Sequence, residues 1–138
     1  MSPTILKVIM SIFDLFKPKN VFRRSTVSPT AEEAIKRDWV KIAELVKVGR
    51  PSSLREALIT ADRSLDTALK EVFDGETMGE RLKNATTRFD KDVYQKIWDA
   101  HKVRNSLVHQ SGYEPPYFVV QKALDDLKEA LTFLGVRL

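Results

Sequence analysis

Residues 89–110, FDKDVYQKIWDAHKVRNSLVHQ, contain the pattern that decides the fold. Apolar residues recur along this segment at the spacing of one helix face: Val93, Ile97, Ala100, Leu107 and Val108. Asp90 near the start of the segment and Gly112 behind it are typical of the two ends of a helix. Because an amphipathic helix gains most of its stability by burying its apolar face, this one needs other helices to pack against.

Turn formers divide the rest of the chain into further helical segments. Ser28–Pro29, Pro51–Ser52, Thr77 and Pro115–Pro116 precede these segments, and Gly49, Gly75 and Gly135 follow them. Capping-box spacing occurs in three pairs: Thr30 with Glu33, Ser53 with Glu56, and Thr77 with Glu80. No alternating strand pattern competes with the helical one. We therefore predict an all-α fold, an antiparallel bundle of four main helices with a short extra helix and an N-terminal amphipathic helix.

Length and composition narrow the classes of protein and of site. The 138 residues fit one domain, and 43% hydrophobic residues exclude general disorder. Because the chain has no cysteine, disulfides, thiolate zinc sites and cysteine nucleophiles are excluded, and a cytoplasmic location is compatible. The two histidines make a poor metal site, because they are eight residues apart and no carboxylate lies on the same edge of their helix. We expect no metal and no cofactor, and the net charge of +4 only mildly favours an anionic partner.

The N-terminal region, residues 1–27, differs from the domain predicted for residues 28–138. Ile5–Phe16 is strongly apolar but is interrupted by Lys7 and Asp14, and it is shorter than the roughly 20 residues of a membrane-spanning helix. A wide apolar face followed by a basic linker is typical of a helix at a membrane surface. The alternatives are packing on the bundle or on a second subunit, and a disordered arm. The predicted location is the cytoplasm, with the inner face of the membrane as the alternative.

Two charged residues interrupt otherwise apolar helix faces. Arg104 falls in the middle of the stripe on residues 89–110, and Asp62 interrupts the stripe on the helix after Pro51. Burying either charge without a partner would be costly, so we expect Asp62 to face Arg104 or a histidine. His101, Asn105 and His109 follow one another at four-residue intervals and form a polar ridge beside that stripe. The competing interpretation is a buried pair that only fixes helix register.

The segment RNSLVH, residues 104–109, resembles the Arg-polar-x3-His motif of the HEPN superfamily. Residues 34–138 are also similar to a group of small bacterial HEPN-like proteins, through ALITADRSLD, GETMGERLKNA and WDAHKVRNSLVH. The resemblance implies a metal-independent endoribonuclease that acts as a homodimer and leaves a 2′,3′-cyclic phosphate and a 5′-hydroxyl. It implies that His109 is the general acid or base, that Arg104 binds the scissile phosphate, and that Asn105 orients the phosphate or the histidine.

The residues add further candidates around this motif. We place Asp62 and His101 behind it as positioning or phosphate-side groups, and Lys102 as an RNA-binding group beside it. The GETMGER turn, residues 75–81, either caps a short helix and forms surface pairs or borders the cleft. The alternative function is a non-catalytic dimerisation or nucleotide- or RNA-binding module, with a nucleotidyltransferase as partner. A toxin with its own antitoxin is a further alternative.

Overall fold

The computed structural model describes residues 24–138 and confirms the all-helical bundle. Its helices are α1 (Pro29–Val48), α2 (Pro51–Val72), α3 (Met78–Asn84), α4 (Lys91–His109) and α5 (Tyr117–Phe133). The helix predicted at residues 5–16 lies outside the described residues. Within residues 24–138, no helix is both long enough and apolar enough to cross a membrane.

Two prolines decide where the longest helices begin. The side chain of Ser28 caps α1 by accepting a hydrogen bond from the Ala31 amide at 3.3 Å. Arg50 occupies the cap position of α2 without a side-chain hydrogen bond. Pro29 and Pro51 take the first helical position, where the missing N–H is not needed, so the preceding residue becomes the cap. The capping boxes predicted at Thr30 and Ser53 are therefore wrong, because both residues lie inside a helix.

The third predicted capping box does form, at the start of α3. Thr77 Oγ1 accepts a hydrogen bond from the Glu80 amide at 3.1 Å. The Glu80 carboxylate reaches back and accepts from the Glu76 amide at 2.7 Å, one residue before the cap. Two amide groups that α3 itself cannot satisfy are thus bonded, which stabilises a helix of only seven residues.

Helix α2 lies at the centre of the bundle and contacts all four other helices. Many of its apolar side chains are fully buried: Ala57, Leu58, Ala61, Leu65, Ala68, Leu69 and Val72. One polar side chain in this core is satisfied locally, because Ser64 accepts from the Trp39 indole at 3.0 Å and donates to the Ala61 carbonyl at 2.7 Å. Any further buried polar residue of α2 should also have a partner.

Two pairs of helices that follow one another in the chain run in opposite directions, α1 with α2 and α4 with α5. Ser28 at the start of α1 bonds Glu71 near the end of α2, and Lys41 further along α1 pairs with Glu56 near the start of α2. The corresponding contacts between α4 and α5 are Phe89 with Phe133 and Lys96 with Glu129. This arrangement brings the end of α4, the start of α5 and the start of α2 to one end of the bundle.

The helical spacing predicts that two apolar residues at this end face the core, but both are exposed. Val108 is 39% exposed and Phe118 is 72% exposed. Leu107 of α4 is buried, whereas the next residue points about 100° further around the helix and is exposed. The prediction that Val108 belongs to the buried stripe is therefore wrong. Val108 therefore presents apolar surface within the RNSLVH segment, and Phe118 does so at the start of α5.

Candidate functional site

Asp62 is the buried centre of the candidate site. Its side chain is only 4% exposed, and both carboxylate oxygens lie 3.1 Å from Nδ1 of His101 on α4. Arg104, one turn further along α4, places its Nε 3.5 Å from Oδ2 of the same carboxylate. The contact expected from the two charged interruptions is thus present, and it includes a histidine as well. Because a carboxylate only accepts hydrogen bonds, His101 carries a proton on Nδ1.

The helical spacing predicts that Arg104 lies in the middle of the apolar stripe of α4. In the structure it lies at the edge of that stripe. Its side chain is 31% exposed, and Nη1 donates to Oδ1 of the neighbouring Asn105 at 3.0 Å. Nε is buried and has no hydrogen-bond partner among residues 24–138. The guanidinium therefore lies beside Asp62 and is oriented by its hydrogen bond to Asn105, and Nη2, which makes no hydrogen bond with residues 24–138, is the donor that an anion could use.

An aromatic cluster supports the other side of His101. Trp98 meets the imidazole edge-on, with ring centroids 6.1 Å apart, and Tyr94 meets Trp98 in the same way at 6.4 Å. Gly79 of α3 faces this indole, since a Cβ on Gly79 would lie 3.8 Å from Trp98 Cη2. Such contacts hold the imidazole in one orientation. Sequence reasoning did not single out Trp98, although it lies three residues before His101 and therefore on the same side of α4.

A second buried ion pair lies one turn from Asp62 on α2. Arg81 is 7% exposed and bonds both oxygens of Asp66, at 2.7 and 2.9 Å. Its Nη1 also donates to the Gly75 carbonyl at 2.6 Å. The prediction of surface pairs in the GETMGER turn is wrong for Arg81, which anchors the turn to α2. The missed signal is the spacing of Asp66, four residues after Asp62 and therefore on the same face.

The structure does not bring His109 or Lys102 to this cluster. His109 is the last residue of α4 and is exposed, and it makes no hydrogen bond or ion pair with residues 24–138. It follows Arg104 by five residues, which corresponds to about 140° around the helix and about 7.5 Å along it. Lys102 is exposed as well. Of the candidate residues, the fold gathers Asp62, His101, Arg104 and Asn105.

The gathered residues can orient a guanidinium and offer it to an anion at the protein surface, with an exposed imidazole within about two helical turns. Within the described residues, no three side chains of the metal-ligating types lie close enough together to hold an ion. Comparison of the chain with protein-family models, with curated proteins and with solved structures finds no match.

Proposed function

We propose that this protein is a metal-independent endoribonuclease of the HEPN type that acts as a homodimer. The observation that carries the proposal is Arg104, whose guanidinium is held by Asp62 and Asn105 while its side chain stays 31% exposed. An oriented arginine with unused donors is suited to a phosphodiester, whose charge grows during cleavage. The exposed His109 supplies a proton-transfer group at the end of the same helix.

In the proposed reaction, a ribose 2′-oxygen attacks the neighbouring phosphorus and the bond from phosphorus to the 5′-oxygen breaks. His109 takes the proton from the 2′-hydroxyl or gives one to the leaving oxygen, since an imidazole exchanges protons readily near neutral pH. Arg104 binds the non-bridging oxygens and stabilises the developing charge. Asn105 positions Arg104 through the 3.0 Å hydrogen bond. The products are a 2′,3′-cyclic phosphate and a 5′-hydroxyl, and the balance requires no further reactant.

The separation of Arg104 and His109 favours a dimer. One chain presents them about 140° apart on α4, so a second chain packed along α4 would bring an additional imidazole towards Arg104. The half-buried Trp98 and the exposed Val108 lie along this side of α4 and provide apolar contact area. Obligate homodimer interfaces are typically of this apolar kind. RNA is the proposed substrate, and an antitoxin is the partner that a toxin role would require.

Cleavage of RNA in EDTA tests the proposal. We expect the full chain to cut unstructured RNA without added metal, and to leave ends that carry a cyclic phosphate. His109→Ala should lower the rate about 10²- to 10⁴-fold and Arg104→Ala about 10²- to 10³-fold, as is typical for loss of a general acid or base and of an oxyanion donor. Asp99→Asn is the matched control, because Asp99 is exposed on the same helix and bonds only Gln95.

A non-catalytic interaction module is the second candidate function. The depth of the Asp62–His101 contact favours this function. Both side chains are nearly buried, and their contact could serve only to fix the register between α2 and α4. The cleavage assay separates the two functions. Absence of cleavage by the unmutated chain, or cleavage that persists unchanged in both His109→Ala and Arg104→Ala, would remove the nuclease and leave the interaction module.

A further inference from the structure

A cavity of about 460 Å³ opens at the end of the bundle where α2 begins and α4 ends. Its walls come from α2, from α4, from the 110–116 loop and from the start of α5. The residues that matter for its chemistry are Ser52, Arg55, Leu107, Tyr113, Glu114 and Tyr117. This volume is within the range of cavities that bind small organic molecules, roughly 300–1,000 Å³.

The cavity adjoins the candidate site along both helices. Leu107, in the cavity wall, follows Arg104 by three residues, or about 4.5 Å along α4. Arg55, also in the wall, precedes Asp62 by seven residues, which places both on one face of α2 about 10 Å apart. These separations along the two helices are short enough for an extended ligand on Arg104 to reach the cavity.

The lining residues favour one class of ligand. Tyr113 and Tyr117 bring two aromatic rings to the cavity, and such rings bind nucleobases by stacking. Arg55 is exposed and makes no ion pair with residues 24–138, so its guanidinium is available for a phosphate. Glu114 contributes a carboxylate, which repels a bare anion but accepts hydrogen bonds from the amino group of a base. Free phosphate does not suit this combination, whereas a nucleotide does.

We propose that this cavity is a nucleobase subsite, which receives a base next to the phosphate held at Arg104 and thereby selects single-stranded RNA. Stacking on Tyr113 and Tyr117 requires an unpaired base, because a base inside a duplex does not expose its ring face. Arg55 holds the phosphate on the far side of that base. The role in selecting RNA rests on the proposed nuclease, whereas binding of a nucleotide in the cavity does not.

The experiment uses the full chain carrying His109→Ala and measures binding of adenosine 5′-monophosphate by amide chemical shifts in NMR spectra. We expect shifts at residues 52–55, 112–114 and 117, and no such shifts with inorganic phosphate at equal concentration. Tyr113→Phe should bind within twofold, since the ring stays, and Tyr113→Ala at least about fivefold more weakly. Arg55→Ala should weaken binding of the nucleotide but not of adenosine. Arg63→Ala, which removes an exposed arginine of α2 that lies 3.8 Å from Asp38, is the matched control.

Three outcomes would overturn the subsite. These are shifts located away from the cavity, equal affinity of Arg55→Ala and Arg63→Ala for the nucleotide, and displacement of the nucleotide by phosphate at equal concentration. If Tyr113→Ala fails to fold, the comparison of Arg55→Ala with Arg63→Ala and the affinity of Tyr113→Phe still decide the result. RNA cleavage by the unmutated chain without nucleotide binding in the cavity would refute this inference alone. Nucleotide binding without cleavage would support the cavity as a nucleotide site and refute the nuclease and, with it, the role in selecting RNA.

Discussion

Removal of Asp62 should reveal two unequal couplings, a large one with His101 and a small one with Arg104. Both carboxylate oxygens lie 3.1 Å from His101 Nδ1, and the two side chains are 4% and 13% exposed. Arg104 Nε lies 3.5 Å away, makes no hydrogen bond, and belongs to a side chain that is 31% exposed. A shielded hydrogen bond to a carboxylate is strong, whereas a partly solvated ion pair contributes little.

The magnitudes follow from this geometry. Asp62→Ala leaves the His101 Nδ1–H without its acceptor in a nearly dry place, so the free energy of unfolding should fall by about 3 kcal/mol. For 138 residues this corresponds to a decrease in Tm of about 10 °C. We expect a coupling of about 1.5–2 kcal/mol between Asp62 and His101, and of less than about 0.5 kcal/mol between Asp62 and Arg104.

Urea unfolding of the single and double alanine variants measures both couplings, at one fixed protein concentration because a dimer would make stability concentration-dependent. Asp99→Ala, an exposed carboxylate on α4, is the control and should change stability by less than about 0.5 kcal/mol. Additive losses for Asp62→Ala and His101→Ala would refute the argument that these groups interact. A coupling with Arg104 that equals or exceeds the one with His101 would refute the ranking.

Three further predictions concern the α3 turn and the proposed interface. Arg81→Lys should lower the free energy of unfolding by about 2–4 kcal/mol in urea unfolding, because lysine cannot bond both Asp66 oxygens and the Gly75 carbonyl. An unchanged unfolding midpoint would contradict the role of the Arg81–Asp66 pair. Gly75→Ala should lower the free energy of unfolding by about 1–3 kcal/mol in the same assay, since Gly75 has φ +150° and a Cβ there would lie 2.8 Å from the Arg81 amide nitrogen. Gly79→Ala is the control: its Cβ would meet nothing closer than 3.8 Å, so this change should be neutral or stabilising. Val108→Asp should convert the proposed dimer to monomer in sedimentation experiments while helical content is kept, and a dimer that survives this change does not use the Val108 side of α4.

The helical fold and its segment ends could largely be predicted from local patterns. Apolar spacing and turn residues act within a few positions, so Pro29, Pro51 and Gly49 mark helix ends wherever the helices later pack. The same locality explains the errors in the capping boxes. Ser-x-x-Glu spacing at Ser53 matches a cap, but the proline two residues earlier already begins the helix, and the sequence rule does not rank one signal above the other.

The candidate site could be predicted where charges interrupted apolar helix faces and where polar residues recurred along α4, as His101 and Asn105 do. Asp62 and Arg104 stood out as charges among apolar neighbours, and the contact between them follows from the cost of burying a charge. The pairing of Asp66 with Arg81 remained unpredicted because it depends on how α3 folds back on α2. The exposure of Val108 also depends on how α4 is rotated against its neighbours, which helical spacing alone does not fix.

The edge-on contact between Trp98 and His101 gives the protein an optical reporter at its own candidate site. The chain has two tryptophans, and Trp39 lies on α1 with its indole bonded to Ser64. A Trp39→Phe variant would leave Trp98 as the single indole fluorophore, 6.1 Å from the imidazole. If RNA binds at Arg104 as proposed, titration of that variant with RNA would change the emission of Trp98, without a dye and without any requirement for cleavage.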